Sequence, residues 1–169
     1  ITPEDEDGHT ALENWLIKKC GDLGKKIHTG RSRNDQVLVA VRLFTRAELN
    51  KIFDQAKQLS QSFLDFAQAH EFIPMPGYTH TQRAMLSSIG MWSGSFAEML
   101  LMNLETLKTV QKNINQCPLG SAAGFGVNFD LPREMVSKKL GFESPLVLSV
   151  TAQNTRGKME ADVLSSLTS

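Results

Sequence analysis

His28-Thr29-Gly30-Arg31-Ser32-Arg33-Asn34-Asp35-Gln36-Val37 is the stretch on which the fold turns. It gathers two guanidiniums, two amides, two hydroxyls and a carboxylate just where a helix would begin. Residues 31 to 73 contain neither Gly nor Pro, so nothing local stops a helix once it has started. Val37, Val41, Phe44, Ile52, Ala56, Leu59, Phe63 and Phe66 step by three or four, with one gap at Glu48, which predicts a helix from about Ser32 to Ala69. Its length would be roughly 55–60 Å, well beyond the usual globular helix. A break near Asn50-Lys51 is the alternative, although no strong breaker lies there. The polar start of this helix has two readings. One is an N-cap with a polar first turn. The other is capture of a small, highly charged ligand, because helix N-termini favour anions and arginine matches carboxylates bidentately.

Working outward, Pro74, Pro76 and Gly77 force a turn after the long helix. A second long helix is expected from about Thr81 to Asn115, with its seam at Met85, Ile89, Trp92, Phe96, Leu100, Leu104, Leu107, Val110 and Ile114. Gly90, Gly94 and the serines around them suit close approach of another backbone. A first helix should carry Leu12, Trp15 and Leu16 and stop at Gly21 or Gly24. Residues 117–133 form a glycine-rich loop. A short helix is expected over 132–140, an extended stretch over 144–152, and a last helix from about Gln153. The class is mainly α. Two wide apolar faces on long helices call for a bundle, completed by helices from other subunits.

Composition sets outer bounds. Apolar residues make up 41% and charged residues 21% of 169, a globular balance. Lys plus Arg equal Asp plus Glu at 18 each, so no global field draws the chain to nucleic acid or membrane. Any anion binding must be local. Cys20 and Cys117 fit neither a disulfide framework nor a zinc pattern. No signal-peptide pattern and no bilayer-length apolar run are found. The chain begins without Met and stops inside a helix-like pattern, and it is expected to be cut at both ends.

Tyr78-Thr79-His80 follows the Pro-Gly turn, where a hydroxyl and an imidazole can face a bound anion. Histidine is the side chain best suited to moving protons near neutral pH. A surface cap is the alternative for that loop histidine. Changing Arg42, two turns on from Asn34 and outside the Arg31–Gln36 run, is expected to affect activity much less than changing Asn34. Gly124-Phe125-Gly126 follows no buried strand and is not a dinucleotide fingerprint. His and Cys show no metal-ligand spacing.

Glu6-Asp7-Gly8-His9-Thr10-Ala11, Lys26 through Val37, Met75 through His80, and Pro118-Leu119-Gly120-Ser121 together resemble the argininosuccinate lyases of the fumarase/aspartase superfamily. The resemblance is strong across about 1–133 and thin beyond. It implies a mainly α, long-helix bundle of the fumarase/aspartase type, with residues 1–30 a remnant of the N-terminal domain and 31–169 part of the central bundle. It implies a cytoplasmic homotetramer of arginine biosynthesis, with sites shared between chains. The implied reaction is cleavage of argininosuccinate to arginine and fumarate by anti elimination, without metal or organic cofactor. Carried over residue by residue, Asn34 and Thr79 hold the succinyl carboxylates with Ser32 and Arg33 beside them. Asp7 lies near the arginine end, and His80 transfers a proton.

Three features depart from that family. Thr-Gln-Arg-Ala-Met follows His80 where Leu-Gln-Arg-Ala-Gln is usual. Residues 149–162 are unlike the commoner form and suggest a divergent branch. The Gly-Ser-Ser-x-Met-Pro-x-Lys-x-Asn loop, which holds the partner serine, is absent, so these residues alone are expected to be inert. The alternative to an enzyme is an inactive structural or truncated homologue, as the lens δ-crystallins are.

Overall fold

The long helix forms as its sequence predicts. In the computed structural model, which describes residues 2–168, helix α3 runs unbroken from Arg33 to Ala69. Ser32 caps it: Ser32 Oγ accepts the Asn34 amide at 3.2 Å, and the Ser32 carbonyl accepts the Gln36 amide at 3.1 Å. Asp35 reaches back to the Ser32 amide at 2.9 Å. This reciprocal box satisfies donors that every helix start leaves over. Ahead of it lie α1 (Gly8–Cys20), the short α2 (Asp22–Lys25) and a 3-10 turn at Lys26–His28. Gly21 ends α1, donating its amide to the Ile17 carbonyl at 2.8 Å. Leu12 and Trp15, the expected apolar face of α1, are more than half exposed.

The second long helix is shorter than its periodicity predicts. Residues 74–88 form an antiparallel hairpin, β1 (Pro74–Thr79) and β2 (Gln82–Ser88), and α4 starts only at Ile89 and ends at Ile114. Two local features overrule the helical period of 82–88. The bulge at Gly77 brings β1 so near β2 that a Cβ there would sit 2.9 Å from the Met85 carbonyl oxygen, a spacing open only to glycine. Ser88 Oγ accepts the Met91 amide at 3.0 Å and caps α4, so Ser88 starts the helix rather than lining its interior. Met85, counted on the helix seam, lies on β2 and is 81% exposed.

Beyond α4 come β3 (Gln116–Cys117), α5 (Arg133–Lys139), β4 (Ser144–Pro145), α6 (Ser149–Asn154) and α7 (Lys158–Leu167). The expected extended stretch therefore shrinks to β4, which pairs in parallel with β3, and the last helix is split in two. No helix among the described residues is long and apolar enough to cross a membrane.

The chain divides into two compact units. The first comprises Ile1–Phe44 and Asn115–Lys158, and the second Thr45–Ile114 and Met159–Ser169. In the first, Val39, Cys117 and Phe142 form one buried cluster, and Leu38, Leu146 and Ala152 another. Burial pushes the Cys117 thiol up from its ordinary range. In the second, Leu49, Leu104, Leu107, Val110, Ile114 and Val163 form the core. There α3 and α4 run antiparallel: Ser60 Oγ donates to the Ala97 carbonyl and Ser93 Oγ to the Phe63 carbonyl. A Cβ on Gly90 would lie 2.8 Å from the Ala67 carbonyl oxygen, so the close approach expected of that glycine is met by α3 itself. The expected α3 face is met in part: Ile52 and Ala56 pack on this core and Phe63 stacks on Phe96. Leu49 is buried, whereas Leu59 and Phe66 stay about half exposed, since this chain covers only one side of so long a helix.

Candidate functional site

Asp35 is a firmly held polar group of the first unit. Its side chain is fully buried, and one oxygen accepts the Ser32 amide. The other oxygen accepts the Gly120 amide at 3.0 Å and the Ala122 amide at 2.9 Å. Gly120 and Ala122 both have positive φ, 93° and 50°. Their amides converge in the kind of backbone concavity that binds anions, and here the chain's own carboxylate fills it. A buried charge is tolerable only when its hydrogen bonds are made, and three are. The glycine-rich loop is thereby tied to the start of α3. The Ser-x-x-Asp spacing was visible in the sequence, but its second set of partners, more than 80 residues away, was not.

Ser32, Arg33, Asn34 and Asp7 come together in this unit. Asn34 Nδ2 donates to Ser32 Oγ at 3.3 Å, and Asn34 Oδ1 accepts Arg156 Nη1 at 3.3 Å. Arg156 thus sets the amide with its carbonyl toward the guanidinium and its NH2 toward Ser32. Nothing local in the sequence marked Arg156 as a neighbour of Asn34. Arg42 lies outside the motif run, yet the fold gives it a structural place. It is buried at 4% exposure, donates to the Gln116 carbonyl, and reaches Thr155 Oγ1 at 3.3 Å, fixing the residue next to Arg156.

Arg33 faces the other way. Its guanidinium meets Glu6 Oε2 at 3.2 Å, Asp7 Oδ2 at 3.3 Å and Thr10 Oγ1 at 2.9 Å. Asp7 also caps α1, accepting the Thr10 amide at 2.8 Å. The Thr10 amide first, and the Arg33 charge more weakly, hold the Asp7 carboxyl below its ordinary range. Two carboxylates against one guanidinium leave a net negative corner. Beside it, His28 Nδ1 lies 3.4 Å from Glu13 Oε2. Arg31 lines two clefts of about 250 and 290 Å³; Lys26 and Arg133 share the second with it.

Thr79 and His80 belong to the second unit, at the tip of the hairpin, and both are exposed. Thr79 pairs with Gln82, which leaves His80 and Thr81 as a two-residue turn with φ of 52° and 63°. Such turns ordinarily take Asn-Gly. Histidine tolerates the left-handed region moderately, but a β-branched threonine does so at real cost. Thr81 Oγ1 donates to the His80 carbonyl at 2.6 Å and braces the turn.

With this geometry in place, comparison with known proteins is informative. The family described as Lyase matches residues 1–164. The chain is 46% identical over 165 residues to the argininosuccinate lyase of Sorangium cellulosum (strain So ce56), covering 98% of this chain and 38% of that protein. It is 49% identical over 164 residues to the argininosuccinate lyase of Phocaeicola vulgatus, covering 97% and 37%. With that of Thermotoga neapolitana it shares 47% over 160 residues, 95% of this chain and 40% of the relative. The chain therefore spans about two fifths of the length of these relatives. Among solved structures, EDDS lyase in complex with formate superposes with a TM-score of 0.78 at 28% identity, over 96% of this chain and 35% of that one. A variant of EDDS lyase with bound fumarate gives 0.78 at 31% identity, over 83% and 28%. The mainly α, long-helix fold is of the fumarase/aspartase type. The chain belongs to the lyase family, and within it is similar to the argininosuccinate lyases.

Proposed function

We propose that the intact protein is a carbon–nitrogen lyase that splits argininosuccinate into arginine and fumarate by anti elimination. The observation that carries this reading is the pairing of Asn34 with Arg156 at the start of a 37-residue helix, in a chain 46–49% identical to proteins named argininosuccinate lyase. An oriented amide donor and a guanidinium on one spot suit a carboxylate. Removing a proton next to one of the two succinyl carboxylates builds dianionic, enolate-like charge there, and fixed donors aimed at that charge supply a large share of catalysis. The net negative corner made by Glu6 and Asp7 against Arg33 suits the opposite, guanidino end of the same substrate.

In this reading Asn34 and Thr79 bind the succinyl carboxylates with Ser32 beside them, Arg33 is held instead by Glu6 and Asp7 at the guanidino end, and His80 transfers a proton. A second proton-transfer group must act opposite His80, because the leaving guanidino nitrogen also needs a proton. Four cytoplasmic copies would complete the bundle and share sites. Exposed Met91, Met99 and Met102 on α4 favour such helix partners. A structural, non-catalytic homologue is the second reading. It is favoured by one observation: among the described residues nothing hydrogen-bonds the His80 imidazole to orient it.

The test is fumarate release from argininosuccinate by the full-length protein, followed by ultraviolet absorbance, with Asn34→Leu alongside. Loss of a hydrogen bond to a charged group is worth about 1.5–3 kcal/mol, so kcat/KM should fall roughly 10–150-fold. Wild-type kinetics in that variant would remove Asn34 from the site. Absence of turnover in the intact wild-type protein, with argininosuccinate still bound, would establish the structural reading.

A further inference from the structure

Asp35 lies next to Asn34 in sequence and has no solvent exposure, so it cannot touch substrate itself. Its oxygens nevertheless tie the turn that carries Asn34 to a second, distant segment. On one side is the Ser32 amide, which closes the turn that carries Ser32, Arg33 and Asn34. On the other are the Gly120 and Ala122 amides, from a loop that follows α4 by only a few residues. That loop is itself stiff. Ser121 is fully buried, with Oγ donating to the Pro118 carbonyl at 2.8 Å, and the amides of Gly124 and Gly126 both reach the Ser121 carbonyl at 2.9 Å. Ala122 adopts φ of 50°, a conformation unfavourable to any residue with a Cβ, and its amide points at Asp35. The carboxylate is the acceptor around which this arrangement closes. Helix capping by itself would need only the bond to Ser32. The two further bonds fix the helix start against a rigid loop.

We propose that Asp35 is a positioning residue for carboxylate binding, holding Asn34 in place by pinning the Ser32–Asn34 turn to the Gly120–Ala122 loop. This rests on the reading of Asn34 as a substrate-binding residue. The replacement Asp35→Asn keeps the shape but presents an NH2 to at least one of three amide donors. The turn then shifts relative to the loop, and the donor of Asn34 moves off the carboxylate.

The experiment uses the full-length protein and compares wild type, Asp35→Asn, Asn34→Leu and the double variant, with KM, kcat and fumarate inhibition measured on the folded fraction. The expected result for Asp35→Asn is a rise of about 10-fold or more in KM and in the fumarate inhibition constant, with kcat within about threefold of wild type. The double variant should be no worse than Asn34→Leu alone, because both act through one contact. A purely structural Asp35 would lower the unfolding midpoint and leave the KM of the folded enzyme unchanged, which overturns the proposal. Losses that simply add in the double variant overturn it as well. Wild-type behaviour of Asn34→Leu instead marks the failure of the underlying assignment. Should Asp35→Asn fail to fold, Asp35→Glu keeps the charge while displacing it, and the same KM criterion decides.

Discussion

Asp7 and Asp35 are both carboxylates that cap helices, yet their surroundings assign them different work. Asp35 is sealed and its three amide donors are fixed. Asp7 is half-buried and meets Thr10 and Arg33 at a surface where salt screens the ion pair. The Asp7 carboxyl lies below its ordinary range in the folded chain. Its contribution is therefore complete above the unfolded value of about 3.9 and is lost as pH falls through the lower folded value. Asp7→Asn keeps a capping oxygen and removes only the charge. The unfolding midpoint of that variant should lie below wild type at neutral pH, and the gap should close as pH drops beneath about 4. A gap independent of pH would show that the charge contributes nothing. Contacts between near neighbours in sequence, such as Ser32 with Asn34, were legible. Arg156 and the Gly120–Ala122 amides were not, because a motif cannot say what the fold brings from more than 80 residues away.

Elements were legible where one signal acted alone and misread where two competed. Helix α3 has a helical period with a single gap at Glu48 and no Gly or Pro, and its 37 residues match the expectation. Residues 82–88 carry the same helical period, but a proline-rich strand precedes them and a tight turn folds them back on it. The turn is the weak point of that arrangement. His80 and Thr81 both sit at positive φ, and Thr81 occupies the position where the resembled family usually has leucine. A strained φ/ψ costs on the order of 1 kcal/mol or more, and glycine removes the Cβ that causes it. Thr81→Gly should therefore stabilise the chain by about 1 kcal/mol, raising the thermal midpoint by roughly 2–4 °C. A midpoint at or below wild type would mean that the turn is not strained in solution. At the other end of β2, Ser88→Ala should cost about 1 kcal/mol through loss of the α4 cap, read as a lowered urea midpoint. An unchanged midpoint would place the helix start elsewhere.

At the scale of the whole molecule, the sequence disclosed the class and the length of α3 because wide apolar faces and helical periods are local properties. Which part of each face is covered depends on partners. Leu104, Leu107, Val110 and Ile114 of the expected α4 seam are buried, whereas Trp92 of the same seam is 51% exposed. The functional reading depends on scale in the same way. Asn34 and Arg156 lie within the first unit and Thr79 and His80 within the second, and the proposed reaction needs both sets in the intact protein. The most direct measurement is fumarate release by full-length His80→Gln beside wild type, with folding and assembly checked by circular dichroism and sedimentation. A glutamine keeps a polar group of similar reach but cannot cycle protons. Turnover should fall by about 10²–10⁴ while the protein stays folded. Turnover at the wild-type rate would contradict the account, leaving His80 a turn residue in a lyase whose proton transfer lies elsewhere.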